Sequence, residues 1–359
     1  MENTNDLVTE YEKKRPKYIA FTDRIVHLLE ELLINNEINI HNIEGRAKEV
    51  NSFRSKIIKK SNKYVNPLNE ITDLAGVRII TYYQDDVELV ETLIKDEFKV
   101  DDKNSLDKGA LLKSNEFGYR SVHYILSLSE ERLRLPEWSK YREYKFEVQI
   151  RTVLQHAWAS ISHSIQYKHE EEVPNDLKRK LFRLAGIFEL ADEEFMDVKK
   201  KNSAIIAKVK SSSKGDGLEF FGLNLLTITE YIQNSSNVKI LVENAEEVGF
   251  NLDYERFNTD EVHKDSALQL ILICKLFGIK TIGQLDSIIK DNLSESSGVF
   301  RNIYHGSGWS ISNYFAVIFL LIHIYIQSID VLTLVEMGWD EDIAERVIEQ
   351  LREYKKSIV

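Results

Sequence analysis

The stretches Thr72-Asp73-Leu74-Ala75-Gly76-Val77-Arg78-Ile79-Ile80 and Phe146-Glu147-Val148-Gln149-Ile150-Arg151-Thr152 decide how this chain is read. Each sets a carboxylate and an arginine against an apolar run of β type. Asp73 stands just before its strand, and Glu147 alternates against Phe146, Val148 and Ile150. In a sheet that alternation sends Glu147, Gln149 and Arg151 to the face opposite the apolar residues, so this face is either water or a polar cleft. Two acids and two arginines gathered on a sheet suit metal-assisted phosphoryl chemistry, with carboxylates to hold magnesium and guanidiniums to hold phosphate oxygens bidentately. For either stretch alone, solvated strand ends with paired charges are the competing reading.

A third stretch, Phe117-Gly118-Tyr119-Arg120-Ser121-Val122-His123-Tyr124, decides between them. The glycine frees the backbone before an aromatic ring that can present a flat face to a nucleobase, and Arg120 and His123 follow around a strand start, where they can meet its phosphates. Taken in order, Asp73, Tyr119 to His123 and Glu147 to Arg151 resemble the synthetase domain of the RelA/SpoT family. The resemblance continues through Val153-Leu154-Gln155-His156-Ala157-Trp158-Ala159-Ser160-Ile161-Ser162-His163 and Tyr167-Lys168, similar to the helix that follows the glutamate strand in small alarmone synthetases. Upstream, Gly45-Arg46-Ala47-Lys48, Ser52 and Lys56 fall where that family keeps its basic ATP-binding motif. The match covers about residues 15–200.

A chain of 359 residues is long for one domain, so two are expected. The single cysteine, Cys274, excludes an internal disulfide and a cysteine-cluster zinc site, and reads as a buried inert thiol in a reducing cytoplasm. Met1 to Lys17 is mostly polar and charged, unlike a targeting leader. The most apolar stretch, Tyr314 to Ile326, contains His323 and is too short for a bilayer, which needs about 20 residues, so it reads as a buried helix and no membrane association is expected. A net charge of −11 argues against a broad nucleic-acid binder. Against that background, residues 46–63 hold Arg46, Lys48, Arg54, Lys56, Lys59, Lys60 and Lys63 beside one acid, Glu49. A local cationic helix on an acidic protein suits a compact polyphosphate better than a long duplex. Lys59, Lys60 and Lys63 read equally well as a solvated face.

The expected order is helix (18–35), basic helix (50–62), strand (76–83), helix (85–95), strands (121–128 and 144–150) and two long helices (152–168 and 174–200), with a loop over the site between Asp101 and Asn115. This is an α/β or α+β nucleotidyltransferase-like mixed-sheet core flanked by helices. Lys210 to Gly217 reads as a linker, which places a synthetase domain at 1–208, the linker at 209–217 and an all-α domain at 218–359. That last domain carries no recognisable chemistry. Elimination leaves a regulatory or partner-binding role, toward a protein ligand or further copies of the chain. Gly306-Ser307-Gly308 precedes one of its helices and reads as a turn more readily than a phosphate cradle.

The resemblance implies transfer of the β,γ-pyrophosphate of ATP to the 3′-hydroxyl of GDP or GTP, making the alarmone (p)ppGpp. It makes Arg46, Lys48, Ser52, Lys56 and Arg78 the ATP-binding residues. Tyr119, Arg120, His123, Gln149 and Arg151 fall to the acceptor nucleotide, with Tyr119 stacked on guanine. Asp73 and Glu147 are the catalytic and Mg2+-holding pair. Glu147 is the candidate base for the acceptor hydroxyl; base, metal ligand and both remain open. His156 and His163 lie two helical turns apart, about ten ångströms, too far to share a metal, and are expected to cap or orient the site. Trp158 and Phe182 are expected in the core. Long members of the family carry a hydrolase domain ahead of the synthetase; few residues precede Arg46 and no His-Asp motif occurs, so synthesis without hydrolysis is expected. Toxic relatives in the same family pyrophosphorylate the tRNA 3′ end, some with a fused neutralising domain that senses phage, and residues 218–359 would fit such a domain. The acidic total and the complete Gly118-Tyr119-Arg120-Ser121 motif favour the nucleotide acceptor. A nucleotide-sensing module without catalysis would require loss of Asp73, Tyr119 or Glu147, and all are present.

Overall fold

A computed structural model describes residues 2–60, 63–107, 121–166, 174–212, 217–252, 260–304 and 308–358. The chain forms two units, Met1–Lys199 and Lys200–Val359. In the first, the order is α1 (Glu2–Asn35), β1 (Ile40–Ala47), α2 (Val50–Lys59), α3 (Pro67–Glu70), β2 (Ala75–Thr81), α4 (Gln84–Glu97), β3 (Phe98–Val100), β4 (Leu106–Asp107), β5 (Val122–Leu128), α5 (Glu130–Leu133), α6 (Pro136–Ser139), β6 (Phe146–Thr152), α7 (Val153–Gln166) and the start of α8 (Asn175–Ser212). The strands form one mixed sheet in the order β1-β2-β6-β5-β3, with β4 also paired to β5. Among the described strands of this sheet only β2 and β6 run parallel. This is the α+β layering expected.

The two deciding stretches are neighbours: Gly76 pairs with Glu147, Val77 with Val148 and Arg78 with Gln149. Their apolar positions, Ala75, Val77, Ile79, Phe146, Val148 and Ile150, are buried in a core with Phe21, Ile25 and Leu29 of α1 and Val87, Val90 and Ile94 of α4. Phe21 meets Phe146 edge to face with ring centroids 5.8 Å apart, a preferred aromatic geometry. Gly45 lets α1 lie this close to β1, since a Cβ there would stand 2.5 Å from Val26 Cγ2 and 2.9 Å from Thr22 Cγ2. The glycine of the basic motif thus serves packing.

Two elements differ from expectation. β1 is an additional edge strand, and α1 begins at Glu2, well before residue 18, with Pro16 inside it. The early part of α1 has its own small core, in which Val8 and Tyr11 pack with Phe53, Ile57, Leu68, Ile71 and Leu74. Of the expected site loop, residues 108–115 lie outside the described residues, while Asp101 to Ser105 form a turn in which the Ser105 backbone N–H bonds the Asp101 carbonyl at 3.0 Å.

The second unit contains the end of α8, then α9 (Leu225–Asn234), α10 (Ser236–Val248), α11 (Asp260–Leu276), α12 (Ile282–Tyr304), α13 (Asn313–Ile324), α14 (Val331–Glu336) and α15 (Glu341–Ile358). Its core surrounds α13, where Ala316 through Ile322 are all buried. A helix apolar all round belongs inside, as the Tyr314 to Ile326 stretch suggests. Among the described residues no helix is long and apolar enough to cross a membrane. Cys274 is buried and its thiol is pushed up to about 12 by burial, so it is inert near neutral pH. Val209 is fully buried in this same core beside Leu218. Lys210 to Ser212 continue α8, and residues 213–216 of the expected linker lie outside the described residues.

Candidate active site

Strand register builds the floor of the site. One row across the sheet runs Glu44, Arg78, Gln149 and His123, and the next runs Arg46, Gly76, Glu147 and Ile125. Alternation presents these polar side chains on the face away from the α1–α4 core. Arg78 Nη1 donates to Glu44 Oε2 at 3.0 Å. A cavity of about 150 Å³ lies over the rows, lined by Glu44, Arg46, Lys48, Ser52, Asp73, Arg78, Glu147 and Gln149 among others. Seven residues expected from sequence thus converge, with Glu44 as an addition. Glu44 becomes legible once residues 40–47 are seen as a strand, because it is then the period-two partner of Arg46.

Asp73 is the electrostatic centre. Its Oδ2 accepts from Lys48 Nζ at 2.7 Å and from Lys56 Nζ at 2.8 Å. Burial pushes this carboxyl up, but the two lysines outweigh it and hold it below the usual carboxylate range. The other oxygen, Oδ1, is buried without a hydrogen bond among the described residues. Such an acceptor costs free energy unless a cation or donor reaches it.

Glu147 is held from the neighbouring strand. His123 Nδ1 lies 2.7 Å from Glu147 Oε1, and His123 Nε2 lies 2.5 Å from Ser121 Oγ. Burial raises the Glu147 carboxyl, and the His123 hydrogen bond and charge bring it below its ordinary value. Ser121, 3% exposed, is a positioning residue not anticipated from sequence; it immediately precedes β5, and its place two residues before His123 was the available signal.

Among the remaining expected residues, Arg151 is buried and stands near His156. Burial first, then the Arg151 and Arg78 charges, lower the His156 imidazole from its usual value. His163 is exposed. Trp158 is fixed through Nε1 to the Leu181 carbonyl at 3.0 Å, in keeping with a packing role. Phe182 departs from expectation: it is 52% exposed, because α8 turns its Leu181–Ala185 edge inward and leaves the adjacent residue in solvent. Tyr119 and Arg120 lie outside the described residues.

Two carboxylates with a buried, unsatisfied oxygen fit Mg2+, which keeps several waters and takes the rest of its shell from substrate phosphates. Among the described residues no group of three or more His, Cys, Asp or Glu could hold a metal.

Residues 45–172 match the family model described as the region found in RelA / SpoT proteins. GTP pyrophosphokinase YjbM of Bacillus subtilis (strain 168) is 30% identical over 178 residues, 48% of this chain and 78% of the relative. GTP pyrophosphokinase YwaC of the same organism is 30% identical over 171 residues, 47% of this chain and 78% of the relative. Among solved structures, small alarmone synthetase 1 from Bacillus subtilis matches at 26% identity with a TM-score of 0.45, covering 54% of this chain and 97% of that one.

Proposed function

Because this chain belongs to the RelA/SpoT family and to its GTP pyrophosphokinase class, we propose that it transfers the β,γ-pyrophosphate of ATP to the 3′-hydroxyl of GDP or GTP. The observation that carries this is the meeting of Asp73, Glu147, Lys48, Arg46 and Arg78 around one cavity. In the step, the acceptor O3′ forms a bond to the β-phosphorus of ATP, the bond between that phosphorus and the α,β-bridging oxygen breaks, and AMP leaves with that oxygen. Glu147 takes the hydroxyl proton as O3′ attacks, with His123 fixing its orientation. Lys48 and Lys56, drawn together on Asp73, offer cations to the β- and γ-phosphates, and Arg46 and Arg78 flank them. Asp73 and Glu147 would hold Mg2+, which supplies charge neutralisation between phosphate oxygens.

Incubating the full chain with γ-labelled ATP and GDP, GTP or deacylated tRNA tests the acceptor. Label is expected on the guanine nucleotides; label on tRNA alone would move this chain to the tRNA-modifying reading. Tyr119 is proposed to stack on the acceptor guanine. Such a contact is worth about 1–3 kcal/mol, so Tyr119→Ala should raise the acceptor KM about ten- to hundredfold and leave the ATP KM close to wild type. Equal effects on both would make Tyr119 structural.

The helical unit is proposed as a regulatory or partner-binding module; its separate core supports this. If it restrains the synthetase, a chain ending at Lys199, the last residue of the first unit, should transfer faster than the full chain, and the separately added unit should reverse the gain. Equal rates would leave a docking role alone.

A further inference from the structure

The N-terminal half of α1 meets the ATP motif at the Lys48 carbonyl. Lys48 occupies the two-residue link between β1 and α2, and its backbone is held on both sides. Its N–H donates to the Leu74 carbonyl at 2.9 Å, one residue past Asp73. Its own carbonyl accepts from the Tyr11 hydroxyl at 2.7 Å and from Arg15 Nε at 3.1 Å. Arg15 also pairs with Glu49, the residue that caps α2 without a side-chain cap bond of its own.

Tyr11 is fully buried and stacks on Phe53 of α2, with ring centroids 4.4 Å apart and planes at 23°. Phe53 and Ile57 flank Lys56 on α2, and Leu74 follows Asp73. All three apolar residues share the small core that Val8 and Tyr11 complete. The two cations and the carboxylate they converge on therefore stand on one platform. A phenylalanine would fill that platform as well as Tyr11; the hydroxyl has no packing task, and its bond goes to the peptide that aims Lys48.

We propose that Tyr11 is a positioning residue for ATP: its hydroxyl fixes the Lys48 peptide so that the ammonium group meets the phosphates beside Asp73. This rests on the pyrophosphate-transfer reading for its substrate and on hydrogen bonds for its geometry. Arg15 keeps a second bond to the same carbonyl, so loss of the hydroxyl loosens the link without releasing it. The effect falls on the ATP side, because the acceptor residues His123 and Gln149 stand on β5 and β6 and have no part in this platform.

The test uses Tyr11→Phe in the full chain, with Val8→Ala as a control that weakens the same core without touching the Lys48 carbonyl. Tyr11→Phe should raise the ATP KM about fivefold, the effect of one ordinary hydrogen bond, with the acceptor KM unchanged. It should weaken binding of a non-hydrolysable ATP analogue by the same factor in calorimetry. Val8→Ala should lower the unfolding temperature and leave the ratio of the two KM values at the wild-type figure. Unchanged analogue affinity in Tyr11→Phe, equal weakening toward both nucleotides, or the same ATP-selective loss in Val8→Ala would each overturn the proposal. A wild-type chain that binds the analogue yet transfers nothing would sink the transfer reading alone, with the Tyr11 comparison still decided by calorimetry. A wild-type chain that binds no analogue would overturn both.

Discussion

Glu147→Gln is expected to lower the transfer rate by about a hundred- to ten-thousandfold, the range for removing a positioned general base, while ATP binding stays within a few-fold of wild type. The substitution keeps shape and leaves Arg46, Lys48, Lys56 and Arg78 in place. Glu147 is held by His123 at 2.7 Å and its carboxyl lies below its ordinary value, so it is ionised at neutral pH and ready to accept the acceptor proton. Single-turnover kinetics with saturating ATP read the chemical step apart from binding. Transfer within tenfold of wild type would remove Glu147 from the role of base.

Asp73→Asn is expected to act through the metal. A neutral amide is a poor ligand for a hard dication, so the magnesium concentration for half-maximal rate should rise together with a fall in rate of about a hundredfold, typical of losing one charge-stabilising group. Metal-free ATP binding should not weaken, since Lys48 and Lys56 lose the anion that now competes for them. The variant also has a pH signature in metal-free protein. The folded carboxyl lies below its unfolded value, near 3.9 for a free aspartate. Its contribution to stability is therefore present above about pH 4 and is lost as pH falls through the folded value. Asp73→Asn should flatten that part of the acid-unfolding curve. A magnesium titration identical to wild type would leave Glu147 as the sole carboxylate toward the metal.

Much of this site was legible because β2 and β6 announce themselves: both alternate over their first five residues, and the parallel register that sets Arg78 beside Gln149 follows from burying Val77 and Val148 together. Less visible was β1. It is an edge strand whose buried or half-buried positions, Ile40, Ile43 and Ala47, are not spaced by two, and its pairing with β2 supplies the order that its own pattern lacks. The first half of α1 is masked in a different way: Val8 and Tyr11 are sparse apolar residues among charged ones, and Pro16 argues locally for a break. Packing against Phe53 and Leu74 overrides that local signal. Arg151 shows the limit of alternation, since a strand's far end can be covered by the next helices, and there the polar face is buried too.

The central claim is pyrophosphate transfer, and it separates from every simpler phosphate chemistry by its leaving group. The full chain incubated with Mg2+, GTP and ATP labelled separately at the α- and γ-positions should release the α-label as AMP, in equal amount to the γ-label gained by the guanine nucleotide. Release of ADP, or of free phosphate with no label on the acceptor, would contradict it.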